Sequence, residues 1–129
     1  MQANITDWKT MTKPNIIQEK SFAFAIRIVN TYKHLHDEKK EFVLANQLLK
    51  SGTSIGANVE EALGGQSTAD FIAKLSISYK EARETLYWIR LLHATNYLSD
   101  QAYESLIHDC EEICKIISKI LVTTKNNNL

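Results

Sequence analysis

What constrains this chain most is what it lacks. Its single proline is Pro14, and its only glycines are Gly52, Gly56, Gly64 and Gly65. From Asn15 to Leu129 nothing forbids helix except the Gly64-Gly65 pair and short polar breaks. Sheets need frequent tight turns, and the residues that make them are missing here. The fold class that follows is all-α.

Apolar residues recur at intervals of three and four, which places four helices. The first covers about 15–36, with Ile17, Phe24, Ile28, Tyr32 and Leu35 on one face, and a turn at His36–Lys40. The second covers about 41–63 and is closed by Gly64-Gly65 acting as a C-terminal cap. Ser67-Thr68-Ala69-Asp70 then has the form of a capping box and opens a third helix over about 68–97. The fourth covers about 100–122 and turns Tyr103, Leu106, Cys110, Ile113, Cys114, Ile117 and Leu121 inward. Long helices joined by short turns run antiparallel to their sequence neighbours. The expected architecture is an up-down-up-down four-helix bundle over 15–124, with an N-terminal extension at 1–14 and a frayed tail at 125–129.

A chain of 129 residues is the size of one domain and buries enough surface to fold without a disulfide or a metal. Fifteen basic residues balance fifteen acidic ones. That excludes the large basic excess of an indiscriminate nucleic-acid binder, leaves room for a local basic patch, and favours self-association. Met1 to Lys13 has no apolar core of a signal peptide, and no apolar run reaches bilayer length. With only Cys110 and Cys114 present, a reducing, cytoplasmic setting away from membranes is expected.

Two features exceed what a lone bundle needs. Gly52 and Gly56 fall on the apolar face of the second helix, where each costs about 1 kcal/mol against alanine. Either another backbone comes close there, or the helix is weak and kinked. The third helix carries two apolar lines. Phe71, Leu75, Ser78, Ala82, Leu86 and Ile89 make the bundle face. Ala73, Ile77, Glu84, Trp88 and Leu91 make a second line roughly a quarter turn away. Phe22, Ile26 and Val29 likewise widen the first helix beyond one face. The expected cover is a neighbouring subunit, with Trp88 as anchor and Ile77, Glu84, Leu91, Phe22 and Ile26 around it. The alternative cover for Trp88 is Ile5 and Trp8 of the N-terminal extension.

No constellation points to catalysis. Cys110 and Cys114 lie one turn apart on the core stripe, without the further ligands a metal site wants. His34, His36, His93 and His108 are scattered, with His93 at the edge of the bundle face. Glu60-Glu61 and Glu81/Glu84 lack the Glu-x-x-His partner of a di-iron bundle. No nucleophile elbow, P-loop or dinucleotide fingerprint occurs. No cofactor, metal or catalytic residue is expected. Lys80, Arg83, Tyr87 and Arg90 share one outward face, where arginine can pair with phosphate and tyrosine can stack on a base. That face reads as a nucleic-acid contact surface, or as an ordinary solvated face partly neutralised by Glu84. Repetition around a ring of subunits would make a weak patch multivalent.

The run Gln47-Leu48-Leu49-Lys50-Ser51-Gly52-Thr53-Ser54-Ile55-Gly56-Ala57-Asn58-Val59-Glu60-Glu61-Ala62 resembles the signature helix of a bacterial family. Its members are the four-helix-bundle proteins named after intervening sequences in 23S ribosomal RNA genes, a ribosomal-protein-like family. Asp70-Phe71-Ile72, Glu81-Ala82-Arg83-Glu84-Thr85 and Tyr87-Trp88-Ile89-Arg90-Leu91-Leu92 are similar to its third helix. The resemblance covers about 17–120 of the chain. It implies a homopentamer, and a distant likeness to the accessory protein of diversity-generating retroelements, a pentamer that binds nucleic acid and a reverse transcriptase. Asn58, Glu61 and Glu84 match polar positions of the family. Beside Gly52 and Gly56 they are expected to fix the register of close-packed helices or subunits by hydrogen bonds. The leading expectation is a non-enzymatic, self-associating module with structured RNA or DNA as ligand. The alternative is a protein-binding scaffold for another partner, with no nucleic-acid role.

Overall fold

The structure is a computed structural model and describes residues 15–127. The extension, with Ile5 and Trp8, and the last two residues lie outside the described residues. Four helices follow one another: α1 (Ile16–Lys33), α2 (Val43–Leu63), α3 (Thr68–Ala94) and α4 (Asp100–Asn127). No strand occurs among the described residues. Each helix packs against its sequence neighbours, and α1 also meets α4, which closes the bundle.

The helix ends follow local chemistry. Asn15 caps α1, its side chain accepting from the Gln18 N–H at 3.0 Å. Ser67 caps α3 in the same way, accepting from Asp70 N–H at 3.1 Å, and Asp70 in turn accepts from the Gln66 N–H. Ser99 accepts from Ala102 N–H at the start of α4. α1 does not run as a regular helix to residue 36. After Lys33 the chain widens into one π-helical turn, His34–Glu38, and Lys40 takes a left-handed φ of 55°. That turn keeps Leu35 fully buried while the chain reverses.

α3 stops at Ala94, three residues short of the sequence reading. Asn96 adopts φ 69°. The Tyr97 N–H reaches back to Leu92 O at 2.9 Å and the Asn96 N–H to His93 O at 3.1 Å. This is a Schellman closure with asparagine where glycine is commonest. The Gly64-Gly65 pair ends α2 where expected, with Gly64 at the C-cap, but neither glycine takes the left-handed φ common in such caps. Gly65 is needed for room instead. A Cβ there would lie 3.0 Å from Ala62 O and 3.1 Å from an Asp70 carboxylate oxygen. α4 is longer than expected and remains helical through Asn127, with Thr124 buried and residues 125–127 exposed.

The core runs the length of the bundle. Phe24, Ile28, Leu48, Ile55, Phe71 and Ile117 are among its fully enclosed side chains. The α2–α3 seam is the tightest, and hydroxyls stitch it. Thr85 Oγ1 donates to Ser51 Oγ at 3.0 Å, and Ser78 Oγ donates to Ile55 O at 2.8 Å. These small polar residues let two helices approach while leaving no buried donor there without an acceptor. The α1–α4 seam is thinner and is closed from outside. Lys20 pairs with Glu112 at 2.8 Å, and Arg27 pairs with Asp109 at 2.6 Å while also donating to Ser105.

Candidate functional site

The glycines of α2 face α1. A Cβ on Gly52 would fall 2.7 Å from two carbons of the buried Ile28 side chain. One on Gly56 would lie 3.4 Å from the Ser21 carbonyl oxygen. The helix is unbroken at both positions, so there is no kink; a side chain would be crowded at Gly52, and hardly so at Gly56. Asn58 and Glu84 do not join helices as expected. Asn58 Nδ2 donates to Ser54 O of its own helix, and Glu84 accepts from Trp88 Nε1 at 3.0 Å, one turn along α3. Only Glu61 crosses a seam, pairing with Lys74 of α3 at 3.1 Å. Interhelical hydrogen bonding falls to Ser51, Ser78 and Thr85 instead. A buried side chain has no bulk water to turn to, so a short hydroxyl finds the facing helix, whereas the longer groups at the rim bond locally.

Apolar surface remains outside on two flanks of the molecule. Phe22 stands one turn beyond Gln18, which bonds Glu60 of α2, and is 67% exposed. Ile26, on the next turn, is also exposed. On the other side of α2, Ile77 is exposed, while Trp88 and Leu91 are half-buried. Trp88 leans on the core and meets the Tyr87 ring edge to face at 4.9 Å. Ile16, Phe42, Val43 and Val122 are exposed as well.

The flank of α3 toward α4 holds Arg83, Tyr87 and Arg90, all exposed; Lys80 is exposed too but lines no hollow there. Here the fold adds what a single helix could not reveal. A groove runs between α3 and α4 as two adjoining hollows of about 660 and 500 Å³ that share Arg83, Leu86 and Glu111. Tyr87, Arg90, Tyr103 and Ile107 line one end, and Tyr79, Lys115, Lys119 and Val122 line the other. Cys114 sits at the wall of the second hollow, nearly covered. Cys110 lies deeper, donates to Ala82 O, and is pushed well above the ordinary thiol range by its hydrogen bond with Cys114 and by burial. Both thiols are free and belong to the core, as their spacing implied. The signal for the α4 half of the groove was the stripe Glu111, Lys115, Lys119, which recurs every fourth residue.

His93 occupies the bundle edge, bonded to Asp100 at 2.7 Å and stacked on Tyr103 at 4.0 Å. His34 and His36 bind neighbouring carboxylates, Glu38 and Asp37. Among the described residues no group of histidines, cysteines and carboxylates is arranged to hold a metal ion. No helix there is long and apolar enough to cross a membrane.

Fold and surface together define a four-helix-bundle domain, grooved and charged on one flank and with exposed apolar side chains on others. Residues 13–119 match the model of the family described as 23S rRNA-intervening sequence protein, and the chain belongs to that family. It is also similar to a solved structure from Bacteroides thetaiotaomicron, a protein with unknown function from the S23 ribosomal protein family. The two are 53% identical with a TM-score of 0.82, over 83% of this chain and 96% of the other. A comparison with curated proteins finds no match.

Proposed function

We propose that this chain is a non-enzymatic module that assembles with copies of itself into a closed ring, five-membered as the family resemblance implies, and carries structured RNA or DNA on the repeated basic face of α3. The observation that carries the ligand half is charge usage. Lys20, Arg27 and Lys74 are ion-paired within the bundle, whereas among the described residues nothing pairs with Arg83 or Arg90. Guanidinium groups left unpaired beside an exposed tyrosine fit phosphate and base. Glu84 and Glu111 line the same hollow as Arg83 and Arg90 and partly neutralise it, so the patch is local and the net charge of the chain stays at zero.

The assembly half rests on the two apolar patches. Phe22 and Ile26 lie on the α1 side of α2, and Ile77, Trp88 and Leu91 on its α3 side. Distinct patches on one molecule suit a head-to-tail contact, the kind that closes into rings. Light scattering coupled to size exclusion tests it, with a mass several times that of one protomer expected. A single-protomer mass overturns the ring. Binding to a labelled RNA stem-loop tests the ligand. Affinity should drop at least about tenfold between low and physiological salt, and should vanish on replacing Arg83 and Arg90 with glutamine. The alternative, a scaffold for another protein, is favoured by the exposure of Phe22 and Val43, at 67% and 70%. It takes over if the chain stays monomeric and ignores RNA.

A further inference from the structure

The groove between α3 and α4 has a chemistry of its own. It spans from the level of Tyr103 to that of Val122 along α4, about 28 Å at the rise of a helix. Cations stand on both of its banks: Arg83 and Arg90 on α3, Lys115 and Lys119 on α4. Among the described residues none of these four side chains is hydrogen-bonded or ion-paired. Between the banks lie Leu86 and Ile107, which are half-buried and packed on the core, and the rings of Tyr79, Tyr87 and Tyr103 line the walls. Two acids line it as well: Glu111, shared by both hollows, and Glu84, at the end with Tyr87 and Arg90.

We infer that this groove takes an unpaired nucleic-acid strand, a single-stranded stretch or the loop of a folded RNA. The inference rests on the nucleic-acid reading above and narrows it. Neighbouring helix axes stand about 8–10 Å apart. A duplex is too broad to sink between them and would touch one bank at a time. A single strand can run along the trough, phosphates toward the cations of both banks. Its bases, freed from pairing, can lie on tyrosine faces and on the apolar floor, which paired and stacked bases cannot do. Glu111 opposes the phosphates midway and limits affinity. The α4 lysines thus become part of the site, although nothing in α3 alone announces them.

The test uses the full chain and fluorescence anisotropy with two probes, a short labelled oligothymidylate and a duplex of the same length. The single strand should bind about tenfold tighter than the duplex. Replacing Lys115 and Lys119 with alanine should weaken it about tenfold and flatten its salt dependence. Tyr87→Leu should weaken it about five- to tenfold while Tyr87→Phe retains binding, because stacking needs the ring and not the hydroxyl. Glu111→Gln should tighten it a few-fold. All these side chains are at the surface, and circular dichroism of each variant checks that the helices persist. If duplex and single strand bind alike, and the lysine variant matches the parent while loss of Arg83 and Arg90 abolishes binding, the groove is overturned and the basic face survives. If neither probe nor a stem-loop binds, both are overturned.

Discussion

At the scale of single residues, two glycines four positions apart have opposite prospects. Gly52→Ala drives a methyl into Ile28, a β-branched side chain with no exposed surface and little freedom to turn. It should destabilise the fold by about 1–3 kcal/mol despite the helix propensity gained. Gly56→Ala meets Ser21 at 3.4 Å, close to ordinary contact. There the propensity gain of up to about 1 kcal/mol should prevail. Urea titration of the two variants separates these outcomes. Glu81 supplies a pH effect. Burial, then the charge of Glu84, lifts its carboxyl above the ordinary range, with Lys50 pulling the other way. A carboxyl raised by folding holds its proton longer in the folded chain than in the unfolded one. Its cost to stability is therefore absent at low pH and grows as pH rises through the carboxylate range toward the raised value. Glu81→Gln should melt above the parent at neutral pH, by under about 1 kcal/mol, and with the parent near about pH 3. Thermal melts at the two pH values decide it.

Among the helices, the ends show how far local sequence reaches. The start of α3 was legible because Ser67 opens a capping sequence, while Asn15 and Ser99, unread as caps, close the starts of α1 and α4 through their own side chains in the same way. The exit of α3 was not. Asn96 closes that helix by taking a left-handed conformation that its apolar neighbours Tyr97 and Leu98 conceal from a periodicity argument. Since asparagine is there in glycine's role, Asn96→Gly should leave stability unchanged or raise it by up to about 1 kcal/mol, whereas Asn96→Val should lower it. The midpoint of chemical unfolding reads both. The π turn after Lys33 was equally hidden: it carries Leu35, which periodicity placed on the inward face, but nothing in that spacing marks where the helix widens.

For the whole molecule, the four-helix bundle and its core followed from spacing alone, and the basic residues of α3 were found on their own face. The α4 bank was missed because periodicity tells which residues point outward from one helix and not which neighbour's residues they stand beside. The two apolar flanks make a prediction about assembly. Phe22→Asp spoils one patch and keeps the other; Trp88→Asp does the reverse. Each variant alone should fall to protomers. Mixed together, the two should recover one intact contact and form a pair of chains, visible by light scattering. A two-fold, self-matching interface would give no such rescue.

The unequal seams bear on how the molecule comes apart. α2 and α3 are knitted through buried hydroxyls, whereas α1 and α4 are latched from the surface by Lys20–Glu112 and Arg27–Asp109. A cylinder with one strong hinge and one charged clasp opens in a single direction, like a book. Salt loosens the clasp and spares the hinge. Amide protons of α1 and α4 along that slit should exchange sooner as ionic strength rises, while those at Ser51 and Thr85 keep their pace.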